Sequence, residues 1–178
     1  MKEVDTSLYF ITDSTNYSEE EFLFRVEQAL RGGVTLLQLR EKNKTTREYI
    51  KLAEKVHAIT KRYQVPLIID DRVDVALAVD AEGVHVGADD MPVSVARKLM
   101  GKDKIVGATA KTVPWAVDVY AQGADYLGVG AIYPTTTKVK TVLTSTDTLV
   151  AAIFTIPLLN SALSREDTVI PTNGRKIR

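Results

Sequence analysis

TLLQLREK (35–42) runs apolar from Leu36 to Leu39, broken only by Gln38, and then ends in Arg40, Glu41 and Lys42. A near-continuous apolar run reads as a strand buried on both faces. Its polar residues gather at the C-terminal end. The arrangement recurs along the chain: PLIIDD (66–71), GVHVGADD (83–90), KIVGATAKT (104–112) and YLGVGAIYPTTTK (126–138) all pass from apolar strand to polar end. Parallel strands with such ends form either a barrel or an open doubly wound sheet. In a barrel the ends converge on one site, whereas in an open sheet most lie too far apart to cooperate. The sequence therefore reads as α/β, a (β/α) barrel of the TIM type.

Helical patterns separate the strands. Ser18 and Glu21 have the spacing of a capping box before Phe22, Leu23, Val26, Ala29 and Leu30, and Gly32 and Gly33 close that helix. Thr45 and Glu48 repeat the signal before Tyr49, Leu52, Ala53, Val56, Ile59 and Tyr63. Further helices are expected over 72–79, 92–100 and 113–123, and LYFIT (8–12) is the first strand. No low-complexity linker interrupts the chain before about residue 140, so 1–178 reads as one domain.

Composition narrows the function classes. The 178 residues carry no net charge, which gives no basic excess for nucleic acid or an anionic membrane. There is no cysteine, so disulfides and thiolate metal sites are excluded. The first residues lack a secretory signal, and no apolar run would span a bilayer. A cytoplasmic protein acting on small molecules is the expectation.

The chemistry-bearing groups sit at the strand ends. Asp70 and Asp71 end the third strand, and Asp89 and Asp90 follow the fourth. Carboxylates from neighbouring strands make a hard-oxygen site suited to Mg²⁺. Helix capping is the competing role for Asp71 and Asp90, and both roles fit within each pair. Gln38 and Arg40 share one face of their strand, while Glu41 points the other way, toward a helix partner. Arg40 and Lys42 would grip an anion, against the alternative of a solvated loop. Thr135, Thr136, Thr137 and Lys138 could cradle phosphate, although they lack P-loop spacing. Thr109 and Lys111 add a hydroxyl and a cation. His57 reads as a surface residue and His85 as a structural one. Metal, cations and hydroxyls together suggest a diphosphate substrate.

LQLREK, IIDDRVDVAL, GVHVGADDMP, GATAKT and GADYLGVGAIYPTTTK, in this order and spacing, resemble thiamine-phosphate synthase from about residue 8 to about 145. The resemblance implies a (β/α)8 barrel transferase. It would join hydroxymethylpyrimidine diphosphate to thiazole phosphate with Mg²⁺ and release diphosphate. It implies that the segment Gln38, Leu39, Arg40, Glu41, Lys42, together with Asp70 and Thr109, holds the pyrimidine diphosphate. Asp71 and Asp90 would bind Mg²⁺. Thr135, Thr136 and Thr137 would hold the thiazole phosphate. Lys138 would reach the diphosphate and, with Arg40, stabilise the departing charge.

Beyond about residue 145 the pattern changes. TIPLLN (155–160) reads as a seventh strand, but no Gly-Gly turn and no eighth strand follow, so the barrel is expected to be incomplete and 146–178 divergent. Incomplete closure leaves strand edges that a second copy could pair, as a homo-oligomer. Two alternatives to the synthase remain: a thiazole tautomerase-like relative, and a phosphate-ligand binding remnant without turnover.

Overall fold

The computed structural model describes residues 4–132 and 143–163. The elements alternate: β1 (Tyr9–Ile11), α1 (Glu19–Arg31), β2 (Leu36–Leu39), α2 (Thr46–Tyr63), β3 (Leu67–Asp70), α3 (Val73–Ala78), β4 (Gly83–Val86), α4 (Val93–Met100), β5 (Ile105–Ala110), α5 (Val113–Ala121), β6 (Tyr126–Val129) and α6 (Thr146–Leu163). The six strands are parallel and lie in sequence order, β1 to β6. Among the described strands no switch point reverses the order, as it would in a doubly wound sheet. The sheet is a curled part-barrel with helices outside it.

Strand alternation sorts the side chains into two layers. Leu37, Leu39, Leu67, Ile69, Val84, Val86 and Val106 point outward and pack under Phe22, Val26, Tyr49, Leu52 and Val56 of α1 and α2 and their neighbours. Leu36, Ile68 and Ile105 point inward and pack with Tyr9 and Tyr126. Further along the same faces, the inward positions turn polar: Gln38, Asp70, His85 and, beyond Gly107, Thr109. The barrel interior thus has an apolar floor and a polar mouth. Gly107 makes room in that floor, because a Cβ there would fall inside the Tyr126 ring.

Both expected helix caps form. Ser18 Oγ accepts the Glu21 N–H at 3.2 Å, and Thr45 and Glu48 close a full capping box. The expected seventh strand does not form. TIPLLN (155–160) lies inside α6, whose first turn is capped by Ser145 Oγ accepting the Thr148 N–H at 3.1 Å. A short apolar run has the same signature in a strand and in a buried helix. Here the helix has already begun upstream, where it packs on α5 and buries Ala152. No helix among the described residues is long and apolar enough to cross a membrane.

Candidate active site at the strand ends

The C-terminal ends of the strands surround a pocket of 710 Å³ whose lining includes Gln38, Arg40, Lys42, Asp70, Asp71, Asp90, Thr109 and Lys111. The opening contrast between apolar strand and polar end is therefore built into one cavity. Lys42 is its electrostatic hinge. Its ammonium contacts the Asp71 carboxylate directly and stands 3.1 Å from Asp70 Oδ2. Arg40 Nε lies 3.6 Å from the same Asp70 oxygen. Burial raises the Asp70 carboxyl above its ordinary value, Asp71 adds to the rise, and Lys42 and Arg40 oppose it. Burial works to lower Lys42, but the two aspartates overcome it and hold the ammonium more firmly protonated.

Asp71 and Asp90 are not helix caps. The residue preceding α3 is Arg72 and that preceding α4 is Pro92, and neither helix has a side-chain cap. Asp71 instead adopts φ +61°, in the left-handed region, with its N–H donating to His85 O at 2.8 Å. Asparagine and aspartate are among the few non-glycine residues that enter this region readily. Asp90 Oδ2 accepts the Gly87 N–H at 2.8 Å within its own turn. Burial raises the Asp90 carboxyl; the Gly87 bond opposes this, and the adjacent Asp71 carboxyl, within hydrogen-bonding reach, raises it further.

No group of three or more His, Asp or Glu side chains arranged to hold a metal occurs among the described residues. A Mg²⁺ ion needs less: it commonly takes one or two carboxylates and completes its shell with water and phosphate oxygens. Asp71 and Asp90, two neighbouring carboxyl groups lining one pocket, fit that requirement.

The remaining predicted residues divide. Gln38 is buried, lines the pocket and leaves its Nε2 without a partner. Thr109 Oγ1 lies 2.9 Å from His85 Nε2. Leu39 faces the helices, not the pocket, and its carbonyl accepts the Tyr49 hydroxyl at 2.6 Å. Glu41 also stays out of the pocket. Its partners are Ser14 and Lys44, loop residues rather than the expected helix residue. Thr135, Thr136, Thr137 and Lys138 lie outside the described residues.

Two pocket groups were not singled out by sequence reasoning, Tyr9 and Trp115, and neither was Tyr126 of the inner layer. His85, read as structural, lines the pocket too. A polar chain crosses the interior, with Tyr9 OH 2.6 Å from Tyr126 OH and Tyr126 OH 3.1 Å from His85 Nδ1. Burial pushes both phenols far above their ordinary values, so they remain neutral. The available signal was register: Tyr126 pairs with Gly107, and a glycine beside an inward tyrosine marks where a ring lies across the neighbouring strand. His57 corrects another expectation. It is buried, with Nδ1 3.0 Å from Val79 O and Nε2 3.1 Å from Glu82 Oε1, at the opposite end of the strands.

A larger cavity of 830 Å³ lies between β1 and α1, lined in part by Phe10, Ile11, Phe22 and Phe24. Its charged lining residues are Asp13, Glu21 and Arg25, the last two paired with each other at 2.8 Å.

Comparison with known proteins identifies the family. The family model described as thiamine monophosphate synthase matches residues 8–159. The thiamine-phosphate synthase of Enterococcus faecalis is 53% identical over 164 residues, covering 91% of this chain and 77% of that protein. Thiamine-phosphate synthase 2 of Streptococcus pneumoniae is 58% identical over 142 residues, covering 80% and 68%. Among solved structures, thiamine phosphate pyrophosphorylase from Pyrococcus furiosus superposes with a TM-score of 0.73 at 37% identity, covering 83% of this chain and 69% of that one. A putative deoxyribose-phosphate aldolase from Coccidioides immitis reaches 0.52 at 16% identity, a likeness of fold alone.

Proposed function

The chain belongs to the thiamine monophosphate synthase family, and from that premise we propose that it joins a pyrimidine diphosphate to a thiazole phosphate, releasing diphosphate, with Mg²⁺. The observation that carries the reading is the convergence of Lys42 with Asp70 and Asp71, while Asp90 comes within reach of Asp71. Cations for a polyanion and carboxylates for a divalent cation share one mouth.

In this reading Gln38 offers its unpartnered buried amide to the pyrimidine ring. An unsatisfied buried donor is costly, and a ligand acceptor removes that cost. Arg40 and Lys42 bind the diphosphate, with Asp70 holding both cations in place. Asp71 and Asp90 would hold Mg²⁺, which neutralises charge on a phosphate leaving group. Thr109 would contact the pyrimidine. Thr135, Thr136, Thr137 and Lys138 would bind the thiazole phosphate and the leaving diphosphate.

The reaction breaks the carbon–oxygen bond between the pyrimidine methylene and the diphosphate, and the electron pair leaves with oxygen. The aminopyrimidine delocalises the positive charge on the methylene carbon, and the thiazole nitrogen attacks it. Arg40, Lys42 and Lys138 stabilise the departing charge in a mouth already partly shielded from water. No nucleophile from the protein is required. We also propose that the chain forms one domain of the (β/α)8 type, incomplete at its C-terminal end, acting in the cytoplasm.

The test is thiamine phosphate formation, read by mass spectrometry, with both substrates and Mg²⁺. Product that disappears when Mg²⁺ is chelated supports the reading. No product from a protein that circular dichroism shows to be folded sinks it.

A further inference from the structure

Glu41 sits between Arg40 and Lys42 in sequence, yet its side chain takes the other side of the chain. Arg40 and Lys42 line the 710 Å³ pocket, and Glu41 does not. It lies in a smaller recess of 340 Å³ beside Asp13, Ser14, Thr15 and Lys44, which Arg40 and Lys42 border as well as the pocket. Its side chain is only 6% exposed, with Lys44 Nζ 3.8 Å from Oε2. Ser14 Oγ donates to that same oxygen at 2.8 Å. The other carboxyl oxygen, Oε1, is buried without a partner.

This is a costly residue for the place it occupies. A buried carboxyl group is unfavourable in itself. A negative charge next to a polyanion site is unfavourable for the ligand as well. Neither effect recommends a glutamate at position 41, but its hydrogen bond does. Ser14 lies in the loop between β1 and α1, and that loop touches the end of β2 at a second point. Thr12 Oγ1 accepts the Arg40 N–H at 3.2 Å, while the Thr12 N–H donates to Gln38 O at 2.9 Å. The loop therefore holds residues 38–40 by the backbone and residue 41 by its side chain. With Glu41 held by Ser14, the residues on either side of it, Arg40 and Lys42, line the pocket.

We propose that Glu41 is a positioning residue: by accepting the Ser14 hydroxyl it clasps the β1–α1 loop to the end of β2 and thereby holds Arg40 and Lys42 in the anion pocket. The inference rests on the diphosphate reading of that pocket. Glu41 does not touch the ligand, and its contribution passes through its two neighbours.

The sign of a substitution separates the two possible effects. Acting through charge alone, Glu41 repels a diphosphate, so removing it tightens binding. Acting as a clasp, it aligns the cations, so removing it weakens binding. The probe is inorganic diphosphate with Mg²⁺, titrated calorimetrically into the whole chain and its Glu41→Ala, Glu41→Gln, Ser14→Ala and double-alanine variants, each shown by circular dichroism to be folded at the titration temperature. Loss of one positioning hydrogen bond should weaken binding about tenfold in Glu41→Ala and in Ser14→Ala. Glutamine keeps an acceptor for Ser14 and should hold affinity within about threefold of the parent. The double variant should be no weaker than either single one, because both remove the same bond. Unchanged or tighter binding in Glu41→Ala overturns the inference while leaving the diphosphate reading intact. Ser14→Ala does the same if it binds like the parent, and its smaller change guards against a folding defect in the other variant. A parent protein that fails to bind diphosphate overturns the reading and the inference together.

Discussion

Lys42 Nζ lies 3.1 Å from Asp70 Oδ2, so an ammonium from the end of β2 is engaged by a carboxylate from the end of β3. The contact with Asp71 doubles that engagement. Without ligand, the cation expected to meet diphosphate and the carboxylate expected to meet metal neutralise each other. Binding must exchange that internal pair for external ones.

Lys42→Ala should move two affinities in opposite directions. Diphosphate binding should fall by about tenfold or more, since a partly desolvated charge pair is lost. Mg²⁺ binding in the absence of diphosphate should strengthen, because the competing ammonium is gone. Calorimetric titration of each ion alone reads both signs. Weaker Mg²⁺ binding would mean that Lys42 does not compete for Asp71.

Glu41 carries a pH signature that a difference measurement isolates. Burial raises its carboxyl above the ordinary 4.5, Ser14 and Lys44 oppose the rise, and Asp13 adds to it. Since the folded value exceeds the unfolded one, the folded state binds the proton more tightly. That contribution to stability is fully present below the unfolded value and is lost as pH rises through the folded value. Glu41→Gln cannot titrate. Its stability relative to the parent should therefore grow with pH across that window and level off above it. Urea denaturation from pH 4 to pH 8 measures this, and a flat difference would exclude the shift.

Gly107→Ala should destabilise the protein by about 1–3 kcal/mol, the usual range for overpacking a filled core. The added methyl would occupy the space of the Tyr126 ring. Displacing Tyr126 also disturbs its contacts with Tyr9 and His85. Chemical denaturation gives the loss, and an effect below about 0.5 kcal/mol would show that the ring has room to move.

His57→Ala should destabilise the protein by about 2–4 kcal/mol without altering diphosphate affinity. Both ring nitrogens face acceptors, Val79 O and Glu82 Oε1, and Glu82 Oε2 in turn accepts the Leu67 N–H at 2.8 Å. The cluster lies at the end of the strands remote from the pocket, so stability and binding should separate. A change in affinity comparable to that of Lys42→Ala would contradict the separation.

The sequence revealed the strand–helix alternation and the charged mouth because both follow local rules. Apolar runs ending in polar groups fix strand direction, and capping signals at Ser18 and Thr45 fix helix starts. The capping role for Asp71 and Asp90 failed because helix start positions shift by a residue or two. A left-handed Asp71 then turns its carboxylate toward Lys42 instead. TIPLLN failed for want of length, since six residues cannot distinguish a strand from a helix segment. His57 and the tyrosine chain were hidden for another reason. Their partners come from other elements, and a side chain's burial depends on what packs over it, which periodicity does not record.

The strand order has a consequence for how the molecule is made. Each strand pairs with the one synthesised just before it, from β1 through β6. Every pairing closes a short stretch of chain, which keeps contact order low for a sheet protein. The part-barrel can grow unit by unit as it leaves the ribosome, each helix covering the seam its strand has just made. The pocket follows a different schedule. Lys42, Asp71, Asp90 and Thr109 arrive on successive units, so the site is the last property to appear. A nascent chain arrested after α3 would already hold the Lys42–Asp71 pair, and would still lack the Asp90 carboxylate on which the proposed metal site depends.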